Sequence, residues 1–161
     1  MGDRVRRSLA GGFTYLLVLI AIATISAVAA LSLQQGRALA QRDKELELLY
    51  LGGQFRQALL SFAASTPAGA QARPRSREQL VRDDRGPVVR RHLRRVFVDP
   101  LTGSTTWGVV RDSNGDVTGV YSLASGTPVK QENFEAPFEF FRDSRTYADW
   151  IFSTMPLRRR N

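Results

Sequence analysis

Asp112, Asn114 and Asp116 stand at the one-three-five spacing with which a calcium loop presents its first oxygen ligands. The loop is incomplete, because Val117 occupies the position of the required glycine and Leu123 that of the bidentate acid. The same residues suit a hairpin turn through Asn114-Gly115, and that reading outweighs the metal site. His92 is the single histidine; flanked by arginines and without a second ligand or nucleophile at motif spacing, it is expected to be a solvated helix residue. The absence of cysteine excludes disulfides and thiolate metal sites. No glycine-rich phosphate loop and no separated pair of catalytic carboxylates stands out. The expectation is a non-enzymatic chain with no cofactor.

The remaining chemistry is charge. Lys and Arg total 23 against 15 Asp and Glu, and only Lys44 and Lys130 are lysines. Nine arginines fall between Arg73 and Arg95 against Glu78, Asp83 and Asp84, a local net of +6. From Val96 to Leu157 four basic residues face eight acidic ones, a net of −4. The commonest meaning of an arginine run is a solvated basic face. A second use is contact with an acidic neighbour or with anionic headgroups, centred on Arg90, Arg91, Arg94 and Arg95. Nucleic-acid binding ranks third, because the cluster lacks interleaved aromatic platforms.

These side chains need elements to hold them. The 161 residues average 43% apolar with mean hydropathy −0.22, but the apolar residues are unevenly placed. Phe13 to Leu33 is a 21-residue run without a formal charge, long enough at ~1.5 Å per residue to span a bilayer's hydrocarbon core. Arg4, Arg6 and Arg7 precede it and should stay cytoplasmic. Three readings compete: a secretory signal peptide cut near Ala27-Val28-Ala29, a twin-arginine signal resting on Arg6-Arg7, and a membrane helix retained after removal of a short leader.

Beyond the run the helical pattern continues. Ala38, Gln41, Glu45, Leu48, Gly52, Phe55, Leu59 and Phe62 recur at steps of three and four, and Ser65-Thr66-Pro67 supplies a stop. This continuity favours retention. Gly52-Gly53 inside the helix reads either as a kink or as close approach of another element. Ser76, with Gln79 as capping-box partner, predicts a helix over Ser76–Asp83, and Val88–Arg95 could form another. Val96-Phe97-Val98 begins extended structure. Thr105–Arg111 and Val117–Leu123 read as a hairpin. The aromatics Phe134, Phe138, Phe140, Phe141, Tyr147, Trp150 and Phe152 are expected to cover hairpin and helix as the last layer of core.

Gly11-Gly12-Phe13-Thr14, after a short basic leader and directly before the apolar run, resembles the prepilin processing site of type IV pilins and type II secretion pseudopilins. The stretches Asp99–Ser122, Gly126–Phe134 and Tyr147–Phe152 look like the periplasmic domain of pseudopilin-like proteins. The resemblance implies cleavage after Gly12 and methylation of Phe13 as the new amino terminus. The family usually has glutamate at the fifth mature position; here that position is Leu17, which removes an assembly contact and puts a major-subunit role in doubt.

The implied fold is α+β and pilin-like, a long helix packed on a small antiparallel sheet domain. Its parts are a leader over 1–12, a transmembrane and assembly helix over 13–33, a periplasmic continuation over 34–65 and a globular domain over 66–161. The implied role is a structural subunit of a periplasmic pseudopilus, in the bacterial inner membrane with its amino terminus cytoplasmic. Its partners would be other pilin-like subunits, the prepilin peptidase, the assembly platform and the bilayer. The alternative is a minor type IV pilin serving pilus assembly, adhesion or DNA uptake.

Overall fold

The computed structural model describes residues 8–155, and side chains for 13–28, 36 and 38–155. The leader arginines and the Arg158-Arg159-Arg160 tail lie outside the described residues. The elements in chain order are α1 (Ser8–Ala64), α2 (Glu78–Val81), β1 (Gly108–Arg111), β2 (Val117–Tyr121), two 3-10 turns (Glu139–Phe141 and Tyr147–Asp149) and β3 (Phe152–Ser153). The fold is α+β, with one antiparallel sheet in the order β1-β2-β3. The chain divides into two compact units, Met1–Ala40 and Gln41–Asn161.

In the first unit the described side chains from Phe13 to Val28 are all exposed, among them Phe13, Leu16, Val18, Ile20, Ile22 and Ile25. A helix apolar on every side has no inward face of its own. Its polar groups are turned back on the backbone: Thr24 Oγ1 donates to the Ala21 carbonyl (2.9 Å) and Ser26 Oγ to that of Ile22 (2.8 Å). Among the described residues no helix is long and apolar enough to cross a membrane. The side chains of Ala29–Leu33, which complete the apolar run, lie outside those described.

The second unit is built on the remainder of α1. Leu48, Gly52, Phe55, Leu59 and Phe62 form its buried face, as the three-and-four spacing requires. Ala38 departs from that pattern and is exposed. The helix stops where Ser65-Thr66-Pro67 predicts, Ser65 N–H making the last bond to the Ser61 carbonyl (3.0 Å). Of the two readings of Gly52-Gly53, the structure takes close approach: a Cβ at Gly52 would enter the space of the Phe152 ring on β3. At Gly53 the nearest atom would be Phe138 Cζ at 3.8 Å, ordinary contact.

The aromatics of the tail close this core. Phe141 stacks on Trp150 (5.6 Å between ring centres) and meets Phe152 edge-on (5.3 Å), while Phe134 and Phe138 join from the rim. The hairpin forms as expected but shorter, with a bulge between Val110 and Arg111 and Gly115 in the left-handed region (φ 81°) at its turn. β3, which sequence periodicity does not mark, pairs Gly119 with Ser153 and Val120 with Phe152.

Three local expectations need correction. The helix at 76–83 shrinks to the single turn α2: Arg82 is already extended (φ −142°, ψ 100°), Asp83 pairs with Arg90, and Gln79 Oε1 accepts from the Arg75 N–H (2.6 Å) in place of Ser76. Val88–Arg95 is no helix. Asp83 and Arg90 exchange backbone bonds instead (2.8 and 2.9 Å), and the His92 and Leu93 N–H groups both donate to the Leu80 carbonyl (2.9 and 2.8 Å). Val96–Val98 forms no strand and joins no ladder.

Candidate functional site

The Gly12–Phe13 junction lies within α1. Phe13 and Leu17 are both exposed, and the first acid after Phe13 is Asp43. The fifth residue after Gly12 is thus an exposed leucine on an apolar stretch of helix.

The arginine cluster divides into an inner and an outer set. Arg85 turns inward over the carboxy-terminal end of α1. Its guanidinium lies 3.4 Å from the centre of the Phe62 ring, donates from Nη2 to the Phe62 carbonyl (2.9 Å) and from Nη1 to Thr66 Oγ1 (3.1 Å), and also reaches the Gln71 carbonyl. The last carbonyls of a helix lack intrahelical donors and attract positive charge. No basic residue stands in the last turn of α1, so Arg85 supplies that charge from a distant segment. Arg85 is itself fixed by Asp83, whose two oxygens accept from Nε and Nη2 (2.8 Å each). This pairing, followed by a bond from His92, holds the Asp83 carboxyl far below the usual carboxylate range against the opposing effect of its burial.

His92 is not a solvated helix residue. Its side chain is 4% exposed, packed edge-on against Phe62, with Nε2 3.1 Å from Asp83 Oδ2 and Nδ1 2.8 Å from Ser61 Oγ. Ionised Asp83 takes Nε2–H as a donor, and Nδ1 shares a hydrogen bond with the Ser61 hydroxyl. Ser61, His92 and Asp83 therefore stand in the order of a hydrolase triad. The ring is reversed relative to such a triad, in which Nε2 faces the serine and Nδ1 the acid, and here the carboxylate is shared with Arg85. The group works as a clamp, tying the 83–93 strap to α1.

With His92 and Leu93 turned in, the neighbouring Arg90, Arg91, Arg94 and Arg95 are turned out. All four are exposed, and none has an ion-pair partner among the described residues. Val88 and Val89 beside them are exposed as well. By contrast, Arg73 pairs with Asp112 (2.7 Å), Arg77 donates to the Thr105 carbonyl (3.2 Å), and Arg111 donates to those of Arg75 (2.8 Å) and Gly115 (2.6 Å).

Asp112, Asn114 and Asp116 are engaged in the hairpin turn. Asp112 Oδ1 accepts from the N–H groups of Asn114 (2.9 Å) and Asp116 (3.0 Å), and its other oxygen takes Arg73. The Asp116 N–H first, helped by Arg73, holds the Asp112 carboxyl below its ordinary value. Asp116 turns away to Gln71. Among the described residues no group of three His, Cys, Asp or Glu side chains converges as a metal site would require.

Two anchors escaped sequence reasoning. Glu45, 1% exposed on α1, accepts from the Val129 N–H (2.7 Å), the Lys130 N–H (2.9 Å) and the Tyr147 hydroxyl (2.6 Å). Asp99 is buried, accepting from Ser122 Oγ (2.6 Å) and the Leu101 N–H (2.9 Å) to hold the loop before β1. Glu45 stands on the three-and-four stripe of α1, and an acid on an apolar stripe was the available signal.

Comparison of the chain with protein-family models, with curated proteins and with solved structures returned no match.

Proposed function

We propose that this chain is a structural, non-enzymatic pseudopilin. It is inserted in the inner membrane of a bacterium through the Phe13–Leu33 run, cut after Gly12, methylated on Phe13 and assembled with other pilin-like subunits into a periplasmic filament that supports type II secretion. One observation carries the reading. The helix from Phe13 to Val28 is apolar on every described side and wholly exposed, so lipid or neighbouring helices must supply its surroundings. The basic segment before that helix and the Gly12-Phe13 junction at its start support the processing step. The packing of Gln41–Ala64 against a small antiparallel sheet supports a pilin-like domain. Leu17 in place of glutamate makes it a minor subunit, present at low abundance beside a major one.

Expressed in a bacterial host with a prepilin peptidase, the full chain should stay with the membrane through alkaline carbonate extraction. Protease added to spheroplasts should digest residues 66–161. Release as a soluble periplasmic protein would overturn the reading in favour of a cleaved signal peptide.

The four exposed arginines favour a second reading, a minor pilin for DNA uptake. It requires salt-sensitive DNA binding that disappears when Arg90, Arg91, Arg94 and Arg95 are neutralised.

A further inference from the structure

We infer that the basic strap Arg90–Arg95 docks on the acidic segment Glu132–Asp143 of a second copy of this chain, in a staggered head-to-tail contact. The inference rests on the pseudopilin reading and names the partner of its exposed basic face. The two charged segments sit at different levels of one rigid support. The strap is tied to the end of α1, through His92 to Ser61 and through Arg85 to Phe62. The acidic segment is tied further back, through the Lys130 N–H to Glu45 and through Phe138, which lies over Gly53. Ser61 is eight residues from Gly53 and sixteen from Glu45. At ~1.5 Å per residue, the charged belts stand about 12 to 24 Å apart along the helix.

Glu132, Glu135, Glu139 and Asp143 are all exposed, as are the four arginines, and no ion pair joins the two sets within the chain. Among the described residues these four cations and four anions have no ion-pair partner, and the two sets complement each other between copies. Side-by-side contact at equal height would set arginine against arginine. Displacement of one copy along the axis sets the basic belt of one on the acidic belt of the other.

The lack of cysteine gives a clean test. Two differently tagged full-length copies, one carrying Arg91→Cys and the other Glu139→Cys, are co-expressed with a prepilin peptidase and oxidised in the membrane. The mixed disulfide dimer is expected. Adding Arg90→Glu and Arg94→Glu to the first copy should lower its yield about tenfold. Adding Glu135→Arg and Asp143→Arg to the second copy should restore it. A yield indifferent to the first reversal, or not restored by the second, would overturn the contact. So would a reversal that abolishes binding to anionic phospholipid vesicles and leaves the crosslink unchanged, since the strap would then face lipid. The amino terminus of the same samples separates the two claims. Failed rescue in a chain cut after Gly12 removes the contact and leaves the pseudopilin reading standing. Rescue in an uncut chain upholds the contact and removes that reading.

Discussion

The Tyr147 hydroxyl donates a 2.6 Å hydrogen bond to the Glu45 carboxylate, joining α1 to a turn 102 residues later. Gln41 Nε2 donates to the same hydroxyl from one helical turn before Glu45 (2.6 Å), so the phenol links two α1 side chains. With the Val129 and Lys130 N–H groups also on Glu45, one buried carboxylate fixes two distant loops to the helix. A buried charge is tolerable when its oxygens are filled in this way.

Glu45→Ala should cost about 3 kcal/mol, because it strands donors that lose their acceptor away from water. Glu47→Ala, at an exposed position on the same helix, should stay within about 0.5 kcal/mol. Urea denaturation of the two variants, compared at equal slope, checks the difference. Equal midpoints would refute the anchoring role.

Tyr147 also sets an alkaline limit. Burial first, and then the neighbouring Glu45 carboxylate, push its phenol up to about 12 from an ordinary value near 10. A raised folded-state pKa gives stability that is complete below the unfolded value and is lost as pH rises through the folded one. Stability should therefore fall between about pH 10 and 12, and Tyr147→Phe should flatten that part of the curve. Thermal melts across this range provide the measurement.

Gly52 and Gly53 should respond oppositely to alanine. At Gly52 the new methyl meets the Phe152 ring, and overpacking of this kind costs about 1–3 kcal/mol. At Gly53 there is room beside Phe138, so Gly53→Ala should gain about 0.5–1 kcal/mol from helix propensity. Equal shifts in melting temperature for the two variants would contradict the packing described.

The clamp on the strap should fail in acid. The Asp83 carboxyl is held below its ordinary value, so its contribution is present above about pH 4 and is lost as pH falls. Asp83→Ala leaves Arg85 without its anion at the end of α1 and should cost about 3–5 kcal/mol near neutral pH. The variant's stability should also vary less between about pH 4 and 2 than that of the parent chain. A parallel pair of stability curves would remove Asp83 from the account.

Much of the fold was legible because it is local. The stripe Leu48, Gly52, Phe55, Leu59 and Phe62 gives α1 its buried side, Asn114-Gly115 gives the hairpin, and the tail aromatics give the last layer of core. What failed depends on partners far along the chain. Val88–Arg95 has helical spacing, but the Leu80 carbonyl accepts from both His92 and Leu93, and that pair of bonds overrides local propensity. His92 reads as solvated beside arginines until Asp83 and Ser61 close around it. Nothing near Glu45 in sequence announces Val129, Lys130 or Tyr147. The two-residue strand β3 is too short to carry a period and exists by pairing with β2.

A pseudopilin keeps its apolar run, with the cut on the leader side. The direct measurement is the mass and sequence of the amino-terminal peptide of the mature protein extracted from membranes. The account predicts a peptide beginning at Phe13 with one added methyl group. A mature chain beginning at Ala30, stripped of most of the apolar helix, would contradict it.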